Sequence, residues 1–167
     1  MLVHHTKTKG DLGVLAAELD LFEKGFLLLK PQTEHAPFDL VVYRDERFYR
    51  VQVKYRAAVN GQIAFGLSTC WADRHGTHQI AIDKRSIDLL CIYCPDTRAC
   101  YYVDPHSVKK SVCLRIAPPR NQQAKGIRWA HECTDIPSTV LGIAPGASRG
   151  LEDPPDVRQS SFPFERP

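Results

Sequence analysis

Residues 36–55, APFDLVVYRDERFYRVQVKY, decide how this chain is read. Apolar and polar residues alternate on both sides of a charged centre, which predicts strands near 38–43 and 48–55. With Asp45 and Glu46 as the turn, 43 pairs with 48, 41 with 50 and 39 with 52. Asp39 then stands opposite Gln52, and Lys54 projects from the same face two positions further on. A slip of one residue would move Asp39 to the face of Val51 and Val53 and dissolve this polar triplet. An ordinary wet edge hairpin could also carry Arg50, Gln52 and Lys54, with Asp39 as a surface ion-pair partner. Two features favour more than that. Leu40, Val41, Val42, Val51 and Val53 make the stretch the most strand-like of the chain, and Pro37 marks a strand start where polar groups reach solvent.

Outward from the hairpin, Leu12, Leu15, Ala16, Leu19 and Phe22 recur at helical spacing and mark the apolar stripe of a helix that Gly25 ends. FLLLK (26–30) is a short strand closed by Pro31, and QIAFGLST (62–69) is another. The following 70–86 reads as a polar, basic connection. IDLLCIYC (87–94) and ACYYVDP (99–105) form a second hairpin around PDTR. Asp104 and Pro105 suit the cap and first position of a short helix reaching about Ser111, and VCLRIA (112–117) is a further strand. From about 144 the chain carries five of its twelve prolines without apolar periodicity. The expected organisation is one domain over 1–143 and a disordered tail over 144–167. The order of elements predicts an α/β domain with a mixed sheet.

The composition agrees. The 167 residues are 43% hydrophobic and 25% charged, the mix of a soluble domain with a real core. A net charge of +3 permits a nucleic-acid partner without arguing for one. No apolar run approaches the length of a membrane span and no signal-peptide core is present, so the expected location is cytoplasmic, away from membranes. The six cysteines then read as reduced thiols. Cys91 and Cys94 have zinc half-site spacing, but on a strand that spacing sends the sulfurs to opposite faces.

Pro37, Asp39 and, thirteen positions beyond Asp39, Gln52-Val53-Lys54 resemble the PD-(D/E)xK nuclease motif, with Phe38 inserted and Gln52 at the middle acidic position. The upstream KGDLGVLAAELDLFEKGFLLLKP is similar to the first helix and strand of that superfamily. The resemblance spans about 7–130. It is to archaeal Holliday-junction resolvases and, more closely, to bacterial group I intron-encoded homing endonucleases, where glutamine is a known variant. It implies a restriction-endonuclease-like core with a mixed β-sheet flanked by helices, and hydrolysis of DNA phosphodiesters to 5′-phosphate ends. It also implies Mg2+, with Mn2+ able to substitute, held by Asp39, the Gln52 amide carbonyl and the Val53 backbone carbonyl, with Lys54 as the catalytic cation. Asp11 matches the acidic residue of the first helix; it reads equally as an ordinary helix N-terminal charge. The resemblance leaves three readings: a homing-type endonuclease, a junction resolvase or repair nuclease, and an inactive nucleic-acid-binding module motivated by Gln52.

Contacts to double-stranded DNA are expected from two basic segments. The first holds Arg74, Lys84 and Arg85, with His75 and His78. The second holds Arg115, Arg120, Asn121, Gln122, Gln123, Lys125 and Arg128 without an acidic residue. A double-strand break needs two oppositely oriented sites, so a homodimer at least is expected, and the resemblance implies a homotetramer.

Overall fold

The computed structural model describes residues 5–33, 35–74, 76–118 and 126–142. Helix α1 spans His5–Glu23 and closes where Gly25 takes φ 81° and the Phe26 amide returns to the Leu21 carbonyl at 3.1 Å. A left-handed residue there costs glycine nothing, which is why the helix stops. Among the described residues nine strands follow: β1 (Leu27–Leu29), β2 (Leu40–Arg44), β3 (Arg47–Tyr55), β4 (Gln62–Gly66), β5 (Ser68–Asp73), β6 (Gly76–Ala81), β7 (Leu89–Cys94), β8 (Ala99–Val103) and β9 (Ser111–Arg115). A one-turn helix α2, Ser138–Leu141, comes last.

The main sheet runs β1-β2-β3-β7-β8. β3 and β7 are parallel, and the other neighbours are antiparallel, so the sheet is mixed as expected. The β2–β3 register is the one the alternation requires: Tyr43 faces Phe48, Val41 faces Arg50 and Leu40 faces Val51. Two cores lie on its two faces. On one, Ala17 and Leu21 of α1 pack with Leu40, Val42, Val51, Val53, Cys91 and Tyr102. On the other, Leu90, Ile92, Tyr101 and Val103 pack beneath Ile63 and Phe65 of β4 and Val112 and Leu114 of β9. Cys91 and Cys94 fall in different cores, as their spacing predicts.

Three expectations are corrected. The stretch 70–86 is no plain connection, because β5 and β6 pair antiparallel from Ser68–Ala81 to Asp73–Gly76 as a separate two-stranded unit. Its two strands pair with each other apart from the main sheet and carry no regular apolar alternation, so the sequence does not announce them. The helix after Asp104 is a single 3-10 turn, Pro105–Ser107, although Asp104 does cap it by accepting from the His106 amide at 2.8 Å. It ends because Val108 turns extended and buries its side chain in the second core.

The third correction concerns α1. Its inward face is Gly13, Val14, Ala17 and Leu21, whereas Leu12, Leu15, Leu19 and Phe22 are exposed. Small residues win the sheet side because they let the helix come close: a Cβ on Gly13 would lie 3.4 Å from the Tyr55 Cβ. Two polar contacts fix the helix further. The buried Tyr102 hydroxyl donates to Asp20 at 2.5 Å, and Glu18 pairs with Lys30 at 2.7 Å. The expected tail over 144–167 lies outside the described residues.

Candidate active site

Asp39 sits immediately before β2, and its amide donates to the Val51 carbonyl at 2.9 Å. Its Oδ2 accepts from the Val53 amide at 2.6 Å and from Gln52 Nε2. The chain therefore brings Asp39 and Gln52 into direct contact, as the even register demands. Along a strand the N–H and C=O of one residue point the same way. The Val53 carbonyl thus points towards Asp39, past the last β2–β3 ladder pair Leu40–Val51, where no strand residue claims it. Asp39 Oδ1 takes part in neither hydrogen bond.

Burial sets the electrostatics. It raises the Asp39 carboxyl above the usual aspartate range, against the lowering pull of the Val53 N–H, the Lys54 charge and the Gln52 amide. Lys54 is thus close enough to act on Asp39 through its field, and it shares the sheet face of Gln52 by strand alternation. A half-buried carboxylate, the side-chain amide that donates to it, a backbone carbonyl and a lysine on the amide's sheet face thus belong to one stretch of β-hairpin. The oxygen set is hard and suits a small divalent cation. Among the described residues no group of three or more His, Cys, Asp and Glu could hold a metal, so such a cation would rest on this mixed set.

Arg50, two positions before Gln52 on the same face, is committed elsewhere. Its guanidinium forks onto Asp88 with both contacts at 2.9 Å, and its amide donates to the same carboxylate at 2.8 Å. The Arg50 hydrogen bonds hold Asp88 below the ordinary range, against partial burial. Asp88 was not legible as a partner, because it precedes β7 and meets Arg50 only through the parallel β3–β7 pairing.

The remaining candidates are dispersed. Asp11 is exposed on α1, which packs on the sheet face of Val51 and Val53, opposite to that of Gln52 and Lys54. Arg74 is exposed in the β5–β6 turn, and His78 on β6 is half-buried. Lys84 is half-buried and donates to the Val108 carbonyl, so its charge is partly spent inside the protein. Arg85 is 88% exposed and pairs with Asp83 at 3.1 Å. Arg115 ends β9, and its amide bonds to the Arg128 carbonyl at 2.9 Å, bringing these two half-buried arginines onto adjacent backbone. Arg120, Asn121, Gln122, Gln123, Lys125 and His75 lie outside the described residues. Among the described residues no helix is long and apolar enough to cross a membrane.

Comparison with known proteins adds two findings. The family model described as PD-(D/E)XK endonuclease matches residues 4–136. Among solved structures, the bacterial homing endonuclease I-Ssp6803I superposes with a TM-score of 0.60 at 19% identity, covering 72% of this chain and 85% of that one. No curated protein sequence matches.

Proposed function

The chain belongs to the PD-(D/E)XK endonucleases, and from that premise we propose that it is a Mg2+-dependent deoxyribonuclease of the homing type, cutting double-stranded DNA. The single observation that carries this reading is the contact of Asp39 with Gln52 and Val53 on the hairpin that also bears Lys54. Mg2+ would be held by Asp39, the Gln52 amide oxygen and the Val53 carbonyl, with Mn2+ as a substitute. A bound divalent cation supplies positive charge at the phosphate and lowers the pKa of a water to near neutrality.

The chain's own residues do the rest. Asp39 supplies the one full negative charge of the triplet. Gln52 turns its amide so that the carbonyl faces the site while it still spans to Asp39. Lys54 donates to the phosphate oxygens as charge builds on them, or orients the attacking water. Asp11 is the further carboxylate of the proposal; unchanged metal dependence in Asp11→Asn removes it. Phosphate contacts come from Arg74, Arg85, Arg115 and Arg128, and from the basic residues of 119–125.

The test is nicking of supercoiled plasmid with Mg2+ by the wild type and by Lys54→Ala. The variant is expected to lose at least about 100-fold in rate while binding DNA within a few-fold, since one cation among many contributes little to affinity. Full activity in Lys54→Ala overturns the residue assignment. Wild-type binding without cleavage in Mg2+ or Mn2+ makes the protein a binding module. Preference for a four-way junction over linear duplex makes it a resolvase.

A further inference from the structure

Helix α1 carries an apolar seam that neither core uses. Leu12, Leu15, Leu19 and Phe22 are 45%, 59%, 62% and 66% exposed. Their spacing is that of heptad a and d positions, on the side of the helix away from Ala17 and Leu21. Four large apolar side chains along one strip reach the size, a few hundred Å2, at which patches mark interaction sites.

The charges of the same helix indicate what covers it. Lys7 and Lys9 lie in its first half with one acid, Asp11, whereas Glu18, Asp20 and Glu23 lie in its second, with Asp20 paired to Lys24 at 3.3 Å. No acidic residue occupies the first turn and no basic residue the last, so the charges run against the helix dipole. A partner helix lying antiparallel removes that conflict, because it sets its acidic end beside this basic one. A second copy of α1 is such a helix.

We propose that α1 docks antiparallel on α1 of a second copy about a two-fold axis. In the register that stacks the seam, Leu12 meets the partner's Phe22 and Leu15 meets the partner's Leu19. Antiparallel pairing then places like heptad flanks together, and Lys9 faces the partner's Glu23, twice by symmetry. Both residues are exposed, and the Lys9 ammonium, 5.9 Å from the centroid of the Tyr55 ring, would leave that ring for the carboxylate. On that flank Ala16 meets its own copy and leaves room for close approach. On the other, Asp11 falls opposite the partner's Gly25. Glu18 meets Glu18, but Lys30 already neutralises each at 2.7 Å.

This contact leaves the catalytic hairpin open. Gln52 and Lys54 project from the sheet face opposite α1, so the two triplets of such a dimer point away from each other. The dimer is therefore separate from any pairing that aligns two sites on one duplex, and it overlaps the proposed nuclease residues at Asp11.

Sedimentation of the full chain at tens of micromolar, without DNA, tests it. Wild type is expected to run as a dimer or larger, and Leu15→Glu to raise the dissociation constant by more than about 100-fold. Leu15→Glu should keep its circular dichroism melt and its per-subunit plasmid nicking. Lys9→Glu is expected to weaken association about tenfold, and adding Glu23→Lys to restore it, because swapped charges face each other again. A monomeric wild type overturns the proposal, as does a mass unchanged by Leu15→Glu or a double charge swap that fails to restore association. A dimer that forms only after residues 144–167 are removed also overturns it, since those residues then cover the seam. A wild type that dimerises as expected but does not nick plasmid would count against the nuclease assignment alone.

Discussion

Gln52 stands where the family motif carries an acid, and its amide donates to Asp39 rather than repelling it. A second carboxylate at this position would set two negative charges in contact and raise Asp39 further. Gln52→Glu is therefore expected to lower the melting temperature of the metal-free protein and to enlarge the rise produced by Mg2+, both read by scanning fluorimetry. Asp39 and Asp88 lie on one sheet and respond oppositely to pH. Burial raises Asp39 on folding, so its ionised form opposes folding at neutral pH and that cost fades as the pH falls towards the unfolded aspartate value. The Arg50 pairing lowers Asp88, so its contribution is present above the unfolded value and is lost as the pH falls through the lowered one. Asp88→Asn should cost about 1 kcal/mol at pH 7 after allowance for solvent screening. In urea titrations its stability and the wild type's should converge in acid. The triplet was legible because a strand's period of two permits only one register for Asp39. The Arg50–Asp88 pair was not, because no local rule announces a parallel partner 38 residues away.

At the scale of elements, the β2–β3 turn is correct in length but costly in residue type. Asp45 and Glu46 take φ of 52° and 60°, a region that favours asparagine and glycine. The double substitution Asp45→Asn, Glu46→Gly should stabilise by about 0.5–1 kcal/mol in thermal melts. Helix α1 sits close on β3 through Gly13, so Gly13→Val should cost about 1–3 kcal/mol by forcing helix and strand apart. This helix also shows where sequence reading failed. Gly13, Val14, Ala17 and Leu21 are apolar too, so apolar residues occur almost all round it. Periodicity alone favours the larger side chains, whereas packing on a sheet favours the smaller ones. The β5–β6 ribbon escaped because its polar, basic sequence carries no regular apolar alternation, although its strands pair with each other.

For the whole molecule, the last described element sets where the chain can be shortened. Ile136, Val140 and Leu141 pack on the α1-side core, and Arg47 Nη1 donates to the Leu141 carbonyl at 3.3 Å. A protein ending at residue 143 should melt within a few degrees of the full chain, whereas one ending at 135 should lose several kcal/mol, since three apolar contacts go with it. The mixed sheet itself was legible from the order of helix, hairpin and second hairpin. The way α1 and the β4–β9 ribbon share its two faces was not, because that choice depends on contacts between segments far apart in the chain.

The parallel pairing of β3 with β7 carries a consequence for synthesis. Val51 must wait for Leu89, 38 residues further along, before its strand has a neighbour on that side. The β2–β3 hairpin, by contrast, closes on itself within microseconds of leaving the ribosome. For the roughly 2–8 s that translation takes to supply those residues, α1 can already cover Val51 and Val53, but the β3 edge stands unpaired. A slow codon run in that interval would lengthen the exposure of an aggregation-prone edge. The yield of soluble protein should therefore depend on how quickly the ribosome crosses residues 56–94.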